Sequence, residues 1–206
     1  MNGLLKASRL IDAINAAVGR TAAWAIVVAI LVSAINAIIR KVFGVSSNAW
    51  LELQWYLFGA VFMLCAPWTL AANEHIRIDL VSSRLSPRNR NRVEMFGHFV
   101  FLLPFALVLT YLSWPFFWSS FRSGEVSSSA GGLLIWPAKA MILLGFALLL
   151  LQWLSEVIKR AAVMRGLLPD SHLGGHQTAA EAEAERLLAL SQADQPPAAR
   201  PPALQG

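Results

Sequence analysis

Charge is what this sequence has least of. Asp, Glu, Lys and Arg make up 14% of the 206 residues, where a soluble domain carries about 25%. Too few ionic side chains are present to cover the surface of a water-soluble protein. Cysteine is nearly absent as well: Cys65 stands alone inside an apolar run, which excludes an internal disulfide and the paired-thiol chemistry of a membrane disulfide enzyme. Of the four histidines only His98 lies within an apolar run, whereas a haem held between membrane helices wants two facing histidines. The phosphate-cradling string G-x-x-x-x-G-K-[ST], the zinc motif H-E-x-x-H and the nucleophile elbow G-x-S-x-G are all missing. On this inventory an ATP-driven pump and an enzyme are excluded, and no pattern calls for a cofactor or a metal.

What fills the space is apolar. Hydrophobic residues are 56% of the chain and the mean hydropathy is +0.54. They fall into four long runs: residues 21–39, 53–73, 95–121 and 133–154. Each is close to or above the roughly 20 residues that a helix needs to cross the hydrocarbon core. The runs are bracketed by charge: Arg20 and Arg40-Lys41 around the first, Glu52 and Glu74 around the second, Glu156, Lys159 and Arg160 after the fourth. None shows the alternation of a strand. The expected fold is all-α, with four transmembrane helices. The first run is longer than a signal-peptide core and is followed by no small-x-small cleavage site, so it reads as a retained helix.

Net charge is +5 and the pI about 10.0. The placement of the basic residues argues against a nucleic-acid partner, because they collect at the ends of apolar runs. Lys6, Arg9, Arg20, then Arg77, Arg84, Arg88, Arg90, Arg92, then Lys159, Arg160 and Arg165 lie on one side; Arg40, Lys41 and Arg122 lie on the other. Eleven against three puts both termini in the cytoplasm. Trp50, Trp55, Trp114, Trp118 and Trp136 then sit at the outer interface, where indole rings anchor.

Outside the spans, residues 1–20 show a weak helical pattern (Leu4, Leu5, Ile11, Ile14, Val18) suited to a short interfacial helix on the cytoplasmic surface. Ser86-Pro87 is a good helix start. A helix from Pro87 to about Phe121 would be longer than the bilayer is thick, with Pro104 and Pro115 as expected kink sites. The outer loop 123–133 is small, polar and flexible by composition. Residues 169–206 read as a largely disordered cytoplasmic tail with a short helix at 179–190, from their prolines and Glu-Ala run. Polar residues near the spans each have an ordinary reading. Lys139 snorkels to the headgroups and pairs with Glu125, Glu52 and Gln54 sit at the interface, and Arg77 and Asp79 form a solvated pair. A midplane with almost no ionisable residue makes a poor path for a hydrophilic solute and points to a helper subunit.

Several short strings, in order, then resemble one family. Asn48-Ala-Trp-Leu-Glu-Leu-Gln-Trp-Tyr-Leu-Phe58 opens the second run, and Asn73-Glu-His-Ile-Arg-Ile-Asp79 follows it. Ser113-Trp-Pro-Phe-Phe117, Gly124-Glu125, Gly131-Gly-Leu133 and Trp136-Pro-Ala-Lys139 come later. Together they are similar to the small membrane (permease) subunit of tripartite ATP-independent periplasmic (TRAP) transporters, DctQ-like family, in its mannitol/chloroaromatic-type branch. The resemblance runs from about Thr21 to Arg165. It implies a bacterial inner-membrane protein in an uptake system with a periplasmic solute-binding protein and a large multi-span subunit driven by an ion gradient. The small subunit acts there as a non-catalytic scaffold for the large subunit, and the solute taken up is often an organic acid. It makes Trp50, Glu52, Gln54, Trp55, Asn73, Arg77, Asp79, Glu125 and Lys139 the interface or fold-setting candidates. The alternative is a self-sufficient homo-oligomeric transporter or channel.

Overall fold

The computed structural model describes residues 2–45, 47–72 and 87–168. The Asn73–Asp79 string, the arginine-rich loop as far as residue 86, and the tail from 169 lie outside the described residues. The described residues form five α-helices: α1 (Asn2–Phe43), α2 (Asn48–Ala72), α3 (Pro87–Gly97), α4 (Leu103–Ser123) and α5 (Trp136–Met164). A π-helical turn, His98–Leu102, joins α3 to α4. Four helical stretches are long and apolar enough to cross a membrane: Gly3–Phe43, Asn48–Ala72, Arg92–Ser123 and Trp136–Met164. Among the described residues there is no strand, only an isolated antiparallel bridge between Val126 and Leu134.

Local chemistry sets the helix ends. After Phe43, Gly44 takes a left-handed φ of 66° and returns its N–H to the Arg40 carbonyl at 3.2 Å. After Ser123, Gly124 does the same at φ 60° toward Ser120. A side chain at either position would meet the left-handed penalty. Arg40 and Lys41 stand in the last turn of α1, where cations offset the helix dipole. Pro137 lies in the first turn of α5, where its missing N–H costs nothing.

The third hydrophobic helix is interrupted just before Pro104. A proline has no N–H to offer one turn back and its ring crowds that carbonyl. The chain widens over residues 98–102, and the Leu103 N–H bonds to the His98 carbonyl, five residues back. The same carbonyl also accepts the Trp153 indole N–H from α5 at 2.8 Å. At Pro115, the second site where a kink was expected, α4 runs on as α-helix.

The packing is inverted relative to a soluble protein. The buried apolar positions are small: Ala29, Ala60, Ala106 and Ala162, with Val32. The large side chains face out, with Tyr111 78% and Phe62 76% exposed. In lipid, large apolar groups need no burial, and small residues let backbones approach. α5 is the shared neighbour of α1, α2 and α4. A Cβ added at Gly19 would come within 2.8 Å of Trp68 on α2, and one at Gly145 within 2.8 Å of Met63. These two glycines set how closely α1 and α5 approach α2.

Residues 2–20 are helical, but they do not lie apart on a surface. They continue into the first span as one helix of 42 residues, docked along the C-terminal half of α5. Gly19 is needed for contact with Trp68 and so does not break the helix, and Ser8, Asp12 and Asn15 turn toward α5.

Candidate interface regions at the two ends of the bundle

Two polar clusters stand out, one at each end. The first gathers around the loop between α4 and α5. Glu52, in the first turns of α2, is 5% exposed. Its carboxylate accepts the Ser127 hydroxyl and, at 2.8 Å, the Leu133 backbone N–H. Asn48 donates to the Ala130 carbonyl at 3.2 Å from the same helix start. Within the loop, the Ser127 N–H reaches the Leu133 carbonyl and the Ile135 N–H reaches the Glu125 carbonyl, both at 2.9 Å. The composition promised a flexible segment; the structure instead ties it to α2 through a buried carboxylate. The tie also explains why α5 starts at Trp136 and not at Leu133, since residues 133–135 give their backbone groups to the loop.

Lys139, 13% exposed, forms an ion pair with Glu125 at 2.5 Å and lies 4.1 Å over the Phe116 ring. The Lys139 hydrogen bond holds the Glu125 carboxyl below its usual range. Around this pair runs an aromatic ladder: Trp114 stacks on Trp118 at 6.0 Å, Trp118 on Phe121, and Phe121 meets Trp136 edge-on at 5.4 Å. Arg122 lies 5.3 Å over Trp118. Trp50 and Trp55 are exposed and Gln54 is half-buried. Thus Glu52, Glu125 and Lys139 come together with the loop, whereas Trp50 and Trp55 point outward. Asn73, Arg77 and Asp79 lie outside the described residues.

The second cluster was missed from sequence. It joins Ser8, Asp12 and Asn15 of α1 to Gln152, Ser155, Glu156 and Lys159 of α5. Asn15 donates to Gln152 at 2.7 Å, and Gln152 donates to Asp12 at 2.8 Å and Glu156 at 3.1 Å. Ser155 shares a 2.7 Å bond with Ser8 and donates to Asp12 at 2.7 Å. Lys159 sits between the acids, 3.2 Å from Asp12 and 2.5 Å from Glu156. Ser8, Asn15, Gln152 and Ser155 are each almost fully buried. Beside them Arg160, 2% exposed, pairs with Glu94 of α3, so α5 holds both α1 and α3 at this end. A signal existed. Positions 8, 12, 15 and 152, 155, 156, 159 repeat at helical spacing, which puts each set on one face.

Chemically, both clusters position helices. Most of the donors in them meet an acceptor of the same chain, though the buried Arg160 Nε has none, and among the described residues no group of three or more His, Cys, Asp or Glu is placed to hold a metal ion. Between them the buried surface of the bundle is mostly small and apolar.

No curated protein and no solved structure matches the chain. Residues 26–163 match the family described as tripartite ATP-independent periplasmic transporters, DctQ component. That range takes in α2, the whole loop cluster, α3, α4 and nearly all of α5, with the first-span part of α1, so it covers well over half of the sequence. Four helices long and apolar enough to cross a membrane and a family match of that extent lead to one statement: this chain belongs to the DctQ component family and is a small membrane subunit of a TRAP-type transporter in the inner membrane.

Proposed function

We propose that the chain is the non-catalytic scaffold of its transporter, holding a large multi-span subunit that moves solute inward down an ion gradient. A periplasmic solute-binding protein delivers the solute, of which organic acids are the expected class. Family membership carries this reading. The packing supports it: α1, α2 and α5 close on one another through glycine and alanine, with polar groups collected at the ends. A scaffold needs such stiffness, and a conduit would need polar groups at mid-depth. Both termini face the cytoplasm, as the eleven-to-three basic bias supports. The loop cluster then faces the periplasm, with Glu52, Glu125 and Lys139 shaping its surface and Trp50, Gln54 and Trp55 at its margin. Asn73, Arg77 and Asp79 serve the opposite, cytoplasmic face.

The test is recovery of the tagged full chain from its native membrane in mild detergent, with mass spectrometry of what accompanies it. A stoichiometric large polytopic protein is the expected result. Recovery of this chain alone, as a stable homo-oligomer, would instead mean a self-sufficient transporter.

A further inference from the structure

Arg20 carries a charge on an exposed helix face that no acidic side chain among the described residues answers. Its Nε donates to the Ala16 carbonyl at 3.1 Å, one turn back along α1. The ion pairs of the described residues include Lys139–Glu125, Lys159 with Asp12 and Glu156, and Arg160–Glu94; Arg20 is in none of these.

Its depth can be read from its neighbours. The Gly19 carbonyl accepts the Cys65 thiol at 3.4 Å, and Gly19 abuts Trp68, so Arg20 is level with residues 65–68 of α2. From Leu53 to Ala72 that helix carries no charge, a run of about 30 Å that fills the hydrocarbon core. Cys65 and Trp68 lie 7 and 4 residues short of Ala72. Arg20 therefore leaves the backbone about 6–10 Å inside the apolar slab. α5 places it similarly. Asn15 reaches Leu148 and Gln152, and Arg20 lies five residues further in. The Ala16 carbonyl that tethers the guanidinium is itself level with that pair, beside the last turns of the apolar stretch of α5.

Lys139 shows how this chain treats a cation near the membrane when it supplies the answer itself: a carboxylate at 2.5 Å and an aromatic face. Arg20 has neither. An ionised side chain left in hydrocarbon is costly, so it faces a cavity or a partner group. Ala13, Ala17 and Thr21 on the exposed face beside it are short and leave room for another backbone to approach, with the indole of Trp24, 71% exposed, one turn further along. The exposed face of the π-helical turn and α4, with Phe101, Phe105 and Tyr111, is bulky.

We infer that the α1 face around Arg20 is where the large transport subunit packs, and that a carboxylate on one of that subunit's membrane helices answers Arg20. Depth favours a protein carboxylate over a lipid phosphate, because the phosphates lie outside the hydrocarbon and the guanidinium is tethered within it. The inference rests on the scaffold reading above.

The experiment compares wild type with R20K, R20A and R20E, each a tagged full chain co-expressed with its native partners and purified in mild detergent. R20E should lower the large subunit recovered per small subunit by about tenfold or more, R20A by less and R20K least, with each variant's own membrane yield unchanged. A photo-crosslinking side chain at Ala17 should capture the large subunit in the wild-type background, and one at Phe105 should not. Undiminished recovery with R20E, or crosslinks from position 17 to lipid only, overturns the inference. Should a variant fail to accumulate, the crosslink decides. A wild-type chain that brings down no large subunit defeats the scaffold reading itself, a different result from a wild-type complex that survives R20E.

Discussion

The loop end and the N-terminal end of the bundle both bury polar groups, but they join different distances along the chain. At the loop end, Glu125 and Lys139 are 14 residues apart, and Glu52 binds a backbone N–H and a serine of the loop between adjacent helices. At the N-terminal end every link from α1 to α5 spans between 133 and 147 residues. The first cluster shapes one loop; the second closes the bundle by binding its first helix to its last. A change at the loop should therefore stay local, and a change in the seam should loosen the whole fold.

The contrast can be broken most severely where both ends depend on one contact. Gly145→Leu places side-chain atoms where a Cβ alone would sit 2.8 Å from the Met63 backbone oxygen. Forcing α5 from α2 should cost about 3 kcal/mol and disturb both clusters together, read as a lowered thermal midpoint of the purified chain in detergent. Loss of only one cluster would mean that the ends are not coupled through this contact.

Next in size is Gln152→Leu. It removes the amide that receives Asn15 and donates to Asp12 and Glu156, leaving buried polar groups unanswered at a cost of about 2 kcal/mol. Protease access to the N-terminal half of α1 should rise while the 124–135 loop keeps its resistance. An equal loss at both sites would erase the distinction between them.

The smallest effect belongs to Glu125. Its carboxyl is held below the ordinary value of 4.5, chiefly by the Lys139 hydrogen bond. A depressed carboxyl contributes stability that is fully present above its unfolded pKa and is lost as pH falls through its folded one. Proteolysis of the loop should thus quicken as the pH drops below about 4.5. Glu125→Gln should start from a faster rate at neutral pH and show a shallower acid-side dependence, since the Glu52 carboxylate still ties the loop. The same slope in wild type and variant would assign the pH effect to another group.

Much of the helical frame was legible in the chain. Four apolar runs of bilayer length, charge-free but for Lys139 in the last, leave a backbone in lipid little choice but helix, and the four candidate spans fall on them. Lys139 and Glu125 were readable as a pair because both flank one short loop. The helix limits were less so: residues 133–135 look apolar and helical, yet Glu52 claims the Leu133 N–H. The N-terminal segment looked like a separate interfacial helix because Lys6, Arg9 and Asp12 among apolar residues fit a surface as well as a groove. Gln152 and Ser155 did not stand out in the sequence, because their partners lie at the other end of the chain.

Composition, run length and charge placement thus determine that the chain crosses a membrane four times as helices, since the cost of an unpaired backbone in hydrocarbon acts locally on every residue. Which helices touch, and that Asn15 meets Gln152, Glu52 meets Leu133 and Arg20 meets no carboxylate among the described residues, was decided only in the tertiary structure. Apolar patterning barely discriminates between helix faces when lipid is as good a neighbour as leucine, so the pairing depends on small residues and hydrogen bonds that exist only once the helices have come together.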